Sequence, residues 1–138
     1  MSYSRDFRSS AHRHLEAAHL LTEGTPPNGR PDVGGYLYGI AAECALKQIM
    51  RDSGMRELPP DQRRDDPFYN HFPELKSLLK DRVSGRRSGE LKRISEDPRL
   101  MSAWDTDMRY APAREISSAW IELWRAQAKA LVQTMEAG

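Results

Sequence analysis

Cysteine is all but missing from this chain: Cys44 stands alone in 138 residues, so no internal disulfide framework can hold the fold together. Aromatic residues make up only 8% and hydrophobic residues 38%. The latter figure lies below the roughly 45–50% of an average globular chain, so the core has to be narrow and concentrated in a few amphipathic segments. No apolar run approaches the ~18 uninterrupted residues of a membrane span. The N-terminus, MSYSRDFRSSAH, lacks the apolar centre of a secretory signal. The expectation is a cytoplasmic protein without membrane contact. Strong charge of one sign is absent as well, since Lys and Arg number 21 against 20 Asp and Glu, for a formal net charge of +1. There is no global electrostatic pull toward nucleic acid or anionic lipid, although local clusters can still bind either. Period-two alternation and internal repeats are also lacking. What remains is an all-α chain, one domain over 1–138 with its core at about 4–135, built as a bundle of four to five helices.

The chain punctuates itself. Residues from about Ser4 to Glu23 place Phe7, Ala11, Leu15, Ala18 and Leu21 at three- and four-residue steps, which predicts a first helix ended by Gly24. The TPPNGRP segment reads as a loop, with Asp32 as the cap of a second helix running to about Ser53. Met55 to Asn70, rich in proline and opposed charges, reads as an irregular exposed connection. HFPELKSLLKDRV restarts a helix, with Pro73 in its first turn and Leu75, Leu78 and Leu79 on one face. A short helix is expected from Gly89 to Glu96, and the longest from Ala113 to about Met135. In that last helix Ile116, Trp120, Leu123, Gln127, Ala130 and Leu131 form the expected inner face, with Trp124 beside it.

The most apolar segment, YLYGIAAECALKQIM at 36–50, nevertheless carries Glu43 and Lys47. At 100° per residue Val33, Leu37, Ile40, Ala41 and Cys44 form one face, and Tyr38, Ala42, Ala45, Leu46 and Ile49 cover most of the rest. The second helix is therefore buried nearly all round. Tyr36, Glu43 and Lys47 share a sector roughly 40° wide, with Glu43 four residues before Lys47 in the favourable orientation. This narrow polar stripe either reaches the surface, or is anchored by a charge from another helix, or walls a polar cleft. Gly35 and Gly39, four apart, allow a close approach by another element, within the chain or across a dimer.

YLYGIAAECALKQIM, followed by HFPELKSLL and then WDTDMRYAP, resembles the small HEPN-domain proteins, bacterial helical bundles encoded beside nucleotidyltransferases or in defence loci. The matched positions are Tyr36 or Tyr38, Glu43 with Ala45, Leu46 and Lys47, His71 before Leu75, and Arg109 with Tyr110; the proline falls one residue late, at Pro112. The resemblance spans roughly residues 11 to 131. It implies a HEPN-like bundle that dimerises around a cleft. The polar cleft expected here is made of Tyr36, Glu43, Lys47, Arg109 and Tyr110, with Glu43 and Arg109 meeting either as a structural ion pair or as the floor of the cleft. The resemblance also implies a nucleotidyltransferase-like or defence-complex protein, or RNA, as partner. Ribonucleolytic members carry an arginine followed after four to six residues by histidine. Here the places after Arg109 hold Arg114, Glu115 and Ile116, none of which can move a proton as histidine does. The expectation is a non-catalytic binding module. Its alternative is a metal-independent, toxin-like ribonuclease with a displaced site, His71 carrying the proton and Arg109 or Arg64 at the phosphate.

Other chemistry fails on spacing. His12, Glu16, His19 and Glu23 line one side of the first helix, and EAAH is a Glu-x-x-His element, but no second copy exists to complete a di-iron site. A solvated polar face is the simpler account, and neither metal nor cofactor is expected. Cys44 reads as an inert core thiol, and GGYLYG lacks the Gly-Lys-Ser/Thr ending of a phosphate loop. Trp120 and Trp124 suit core or dimer contacts better than base stacking. RVSGRRSGELKR, residues 82–93, concentrates Arg82, Arg86, Arg87, Lys92 and Arg93 against Glu90. It is either a solvated loop or a strip able to follow a phosphate backbone.

Overall fold

The computed structural model describes residues 3–23 and 29–138. Gly24 and the TPPN part of the expected loop lie outside the described residues. Helix α1 spans Phe7–Thr22, and its start is set by Asp6, whose carboxylate accepts a hydrogen bond from the Ser9 amide at 3.1 Å. The cap places the start three residues later than the apolar period alone suggests. Phe7, Ala11 and Ala18 are buried on its inner face. Helix α2 spans Pro31–Asp52 and is about 33 Å long at the standard rise. Pro31 occupies the first turn, where its missing N–H loses nothing. Asp32 is not the cap: it lies inside the first turn, where its charge suits the helix dipole, and Arg30 holds the cap position without a side-chain bond.

Helix α2 is the axis of the molecule, with α1 packed on one side and the last helix, α5 (Ser118–Ala137), on another. Three glycines let those neighbours come close. A Cβ at Gly34 would lie 2.4 Å from Thr22 Cγ2 of α1, one at Gly35 3.0 Å from Ile121 Cγ1 of α5, and one at Gly39 2.0 Å from the Trp104 indole. The approach expected at Gly35 and Gly39 is therefore made within the chain. Burial of α2 is nearly complete: Tyr38, Ala41, Ala42, Ala45, Leu46 and Ile49 have no exposed surface. Among its apolar residues only Val33, at the N-terminal end, is exposed, by 43%.

The 55–70 connection differs from the irregular exposed segment expected. Pro60–Asp65 is an exposed 3-10 turn, but a second, Pro67–Tyr69, buries Pro67 and Phe68. The anchor is Asp66, fully buried, which accepts from the Leu58 amide at 2.7 Å and the Phe68 amide at 2.9 Å. Arg82 supplies the counter-charge at 3.4 Å. Charged composition hid this anchor, because one carboxylate that collects backbone donors looks the same in sequence as its solvated neighbours.

Helix α3, Glu74–Arg82, buries Leu75 and Leu79 and leaves Leu78 half-buried; it packs on α4, Ser88–Glu96. Two 3-10 turns, Thr106–Tyr110 and Ala113–Glu115, precede α5, Ser118–Ala137. The last helix starts five residues later than expected because the Ser117 hydroxyl accepts from the Trp120 amide at 3.1 Å and caps it there. Its inner face is also rotated from the expected one. Ile121, Trp124, Ala128, Leu131, Val132 and Met135 are buried, whereas Trp120 is 38% exposed and Ala130 is exposed. Apolar residues cover more than half the circumference of α5, so periodicity alone did not select the buried side. The fold is an all-α bundle of five α-helices with no strand among the described residues.

Candidate functional site

The polar stripe of α2 is the centre of a three-residue cluster. Glu43 and Lys47 are 6% and 2% exposed, and Lys47 Nζ donates to Glu43 Oε2 at 2.7 Å. The second carboxylate oxygen is taken by a group 28 residues away: His71 Nδ1 lies 2.6 Å from Glu43 Oε1. The turn ahead of α3 brings His71 there. An ionised Glu43 can only accept, so the imidazole donates from Nδ1 and keeps Nε2 as its acceptor when neutral. The His71 side chain is 54% exposed, so one ring nitrogen is fixed by a buried carboxylate while the ring remains open to solvent. Burial works to raise the Glu43 pKa, but the His71 hydrogen bond together with the charge and hydrogen bond of Lys47 outweighs it, and the carboxyl sits below its ordinary value of 4.5. Such an arrangement can hold a charge pair in the core, and it can orient an imidazole for proton transfer.

The expected polar cleft does not assemble as one site within the chain. Glu43 finds Lys47 and His71, whereas Arg109 Nε donates to the Thr106 carbonyl at 2.9 Å and its guanidinium lies 5.2 Å from the Tyr110 ring. Glu43 and Arg109 do not meet. Tyr36 lies two helical turns before Glu43 and shares a separate 210 Å³ cleft with Arg109, Asp32, Val33, Met108 and Ala111. Trp104 stands between the two regions. It stacks on Tyr36 with centroids 5.3 Å apart, meets Phe72 edge-on at 6.5 Å, and donates from Nε1 to the Tyr36 carbonyl at 3.2 Å. Tyr110 is 78% exposed on the adjoining groove.

Of the basic strip, two members serve the fold. Arg82 binds buried Asp66 and donates to the Arg56 carbonyl at 3.1 Å, and Arg87 pairs with Glu90 and donates to the Thr134 carbonyl at 3.1 Å. That leaves Arg86, Lys92 and Arg93 exposed, a smaller cationic surface than the sequence suggested. Arg64 is exposed, and its carbonyl accepts from the Asn70 amide group at 3.2 Å.

The histidines of α1 are tied to different neighbours rather than solvated together. His12 Nε2 lies 2.8 Å from Glu136 Oε1 of α5, and His19 Nδ1 lies 2.7 Å from the hydroxyl of buried Tyr38. Burial and the nearby Arg125 charge lower the His19 pKa. Among the described residues no group of three or more His, Cys, Asp or Glu could hold a metal ion. Cys44 is buried, its thiol 3.4 Å from the Ser10 hydroxyl, and burial raises its pKa, which makes it a poor nucleophile. No helix is long and apolar enough to cross a membrane among the described residues.

Sequence reasoning singled out Glu43, Lys47 and His71 separately but did not join His71 to the other two. No spacing rule links residues on opposite sides of a connection, so no signal in one sequence could have done so. These features define a class: an all-helical bundle whose central helix carries a buried carboxylate–ammonium pair finished by a surface imidazole. No protein-family model, curated protein or solved structure matches the chain.

Proposed function

We propose that this chain is a non-catalytic, HEPN-like binding module that pairs with a second copy of itself and engages a nucleotidyltransferase-like or defence-complex protein, or RNA. The observation that carries the self-association is an apolar strip at the N-terminal ends of α2 and α5. Val33 and Tyr110 are 43% and 78% exposed, Trp120 is exposed, and Met108 and Ala111 belong to both grooves of that face. Around the strip Asp107, Glu115, Arg109 and Arg114 enter no ion pair among the described residues. Charges of both signs bordering an apolar centre can pair with their opposites on a second copy, as a two-fold dimer requires. Sedimentation of the purified chain at micromolar concentration is expected to give a dimer, and the double variant Val33→Glu, Tyr110→Glu a helical monomer. A wild-type monomer, or a variant that still dimerises, contradicts the proposal. Purification from native cells then identifies the partner.

A ribonuclease with a displaced site is the second reading, favoured by one contact, the 2.6 Å approach of His71 Nδ1 to Glu43. His71 would carry the proton, with Arg64 or a partner copy's Arg109 at the phosphate. Under that reading His71→Ala is expected to lower RNA cleavage by about 100-fold, and Glu43→Gln to lower it as well while shifting the pH profile. Equal cleavage by wild type and His71→Ala removes it.

A further inference from the structure

The C-terminal end of α2 and the start of the 55–70 connection hold a second cationic feature, on the opposite end of α2 from the apolar strip. Arg51, Met55, Arg56, Glu57 and Phe68 line a groove of 400 Å³, and Arg5 lies behind it. Aromatic rings hold the guanidinium groups in place: Arg5 sits 4.9 Å from the Phe7 centroid and 4.1 Å from that of Tyr69, and Arg51 sits 4.6 Å from that of Phe7. Backbone carbonyls complete the fixation, with Arg5 Nη2 donating to Phe68 and Arg51 Nη1 to Arg5 at 3.2 Å. Met55 and Phe68, buried, form a dry floor beneath them.

The donors of this groove exceed its acceptors. Glu57 Oε1 lies 3.7 Å from Arg5 Nη1 and 3.6 Å from Arg51 Nη2, near enough for charge attraction but beyond good hydrogen-bond length. Its other oxygen is taken by the Tyr69 hydroxyl at 2.9 Å. Arg5 Nη1 is buried with no hydrogen-bond partner, and Arg56 enters no ion pair among the described residues. One exposed carboxylate thus faces two guanidiniums set in advance by stacking, and the same groove is lined by a third, Arg56, that it does not pair with. Phosphate oxyanions match such forks, accepting from several N–H groups at once, and donors fixed beforehand lose little entropy on binding.

The geometry points to this groove as a binding site for a phosphate group, with Arg51 and Arg56 as the contacting cations, Arg5 as the charge behind them, and Glu57 as an internal carboxylate that the ligand displaces. The site does not depend on self-association or on the His71 cluster. Its source of phosphate is either a small free phosphate compound or the backbone of a single-stranded nucleic acid, and the two are separable.

Titration of the full chain with pyrophosphate at low ionic strength, followed by amide chemical shifts, tests the site. Saturable shifts are expected at residues 51–57 and 68–69. Arg56→Ala, an exposed substitution that leaves the core untouched, is expected to weaken binding about fivefold or more, and Glu57→Gln to tighten it by about the same factor. A short oligouridylate is the second arm. If it binds through the same residues and more tightly than pyrophosphate, the ligand is a nucleic-acid backbone; if only pyrophosphate binds, it is a free phosphate compound. Failure of both probes to saturate, or binding indifferent to Arg56→Ala and Glu57→Gln, overturns the proposal.

Discussion

Replacing Glu43 by alanine is expected to destabilise the protein by about 3–5 kcal/mol, measured as a shift of the urea midpoint with the slope unchanged. The magnitude follows from what remains. Lys47 is 2% exposed and its only hydrogen-bond partner among the described residues is Glu43, so the variant leaves an ammonium ion buried without a counter-charge. Whole-domain stability is of order 5–15 kcal/mol, so this single change removes a large share of it. Replacing the pair together, Glu43→Leu with Lys47→Met, is expected to come out near neutral, because the desolvation of both charges is recovered as their attraction is lost. His71 tolerates the loss of its partner in that variant, since its half-exposed ring can turn to water.

The same carboxylate sets an acid limit. Its pKa in the fold lies below the ordinary 4.5, so the unfolded chain binds the proton more readily in the interval between the two values. The stabilisation is fully present above pH 4.5 and is lost as pH falls through the folded-state value. The Leu–Met double variant is expected to lose that part of the acid sensitivity. A Glu43→Ala cost under about 1 kcal/mol would show that the pair is not desolvated.

Trp104→Ala is the other large effect, about 3–5 kcal/mol for a large buried aromatic. Trp104 is 2% exposed, stacks on Tyr36, meets Phe72 and occupies the space that a side chain at position 39 would need. Gly39→Ala is expected to be costly for the same reason, by about 3 kcal/mol, since its Cβ would fall 2.0 Å from a rigid ring. The two changes share one volume and therefore should not add. With Trp104 already replaced by alanine, Gly39→Ala is expected to become neutral or slightly stabilising, because alanine is the better helix former by about 0.5–1 kcal/mol. Unfolding curves for the four members of this cycle check it. Additive costs would mean that the indole does not rest on Gly39.

The helices were legible for a local reason: glycine, proline and apolar periodicity act within a few residues. The near-complete burial of α2 and the Glu43–Lys47 contact could both be read from it, since residues four apart on a helix must meet. Where a cap lay inside the span that the apolar period suggested, or apolar residues covered too much of one circumference, local rules were insufficient. Ser117 delayed α5, and Ile121 and Trp124 rather than Trp120 turned inward, because Gly35 opened a seat for them on α2.

The candidate sites divide in the same way. Sequence alone determined that this is an all-α chain with one deeply buried helix carrying a charged pair, and that no histidine stands four to six residues after Arg109. Only the tertiary structure decided that His71 completes Glu43, that Arg109 lies apart from it, that Arg82 and Arg87 serve the fold, and that Arg5, Arg51 and Arg56 gather around Glu57. Periodicity fixes which side chains share a helix face, whereas contacts between residues 28 or 46 positions apart depend on how the connections fold back, and Asp66 anchors that path by collecting donors from both sides.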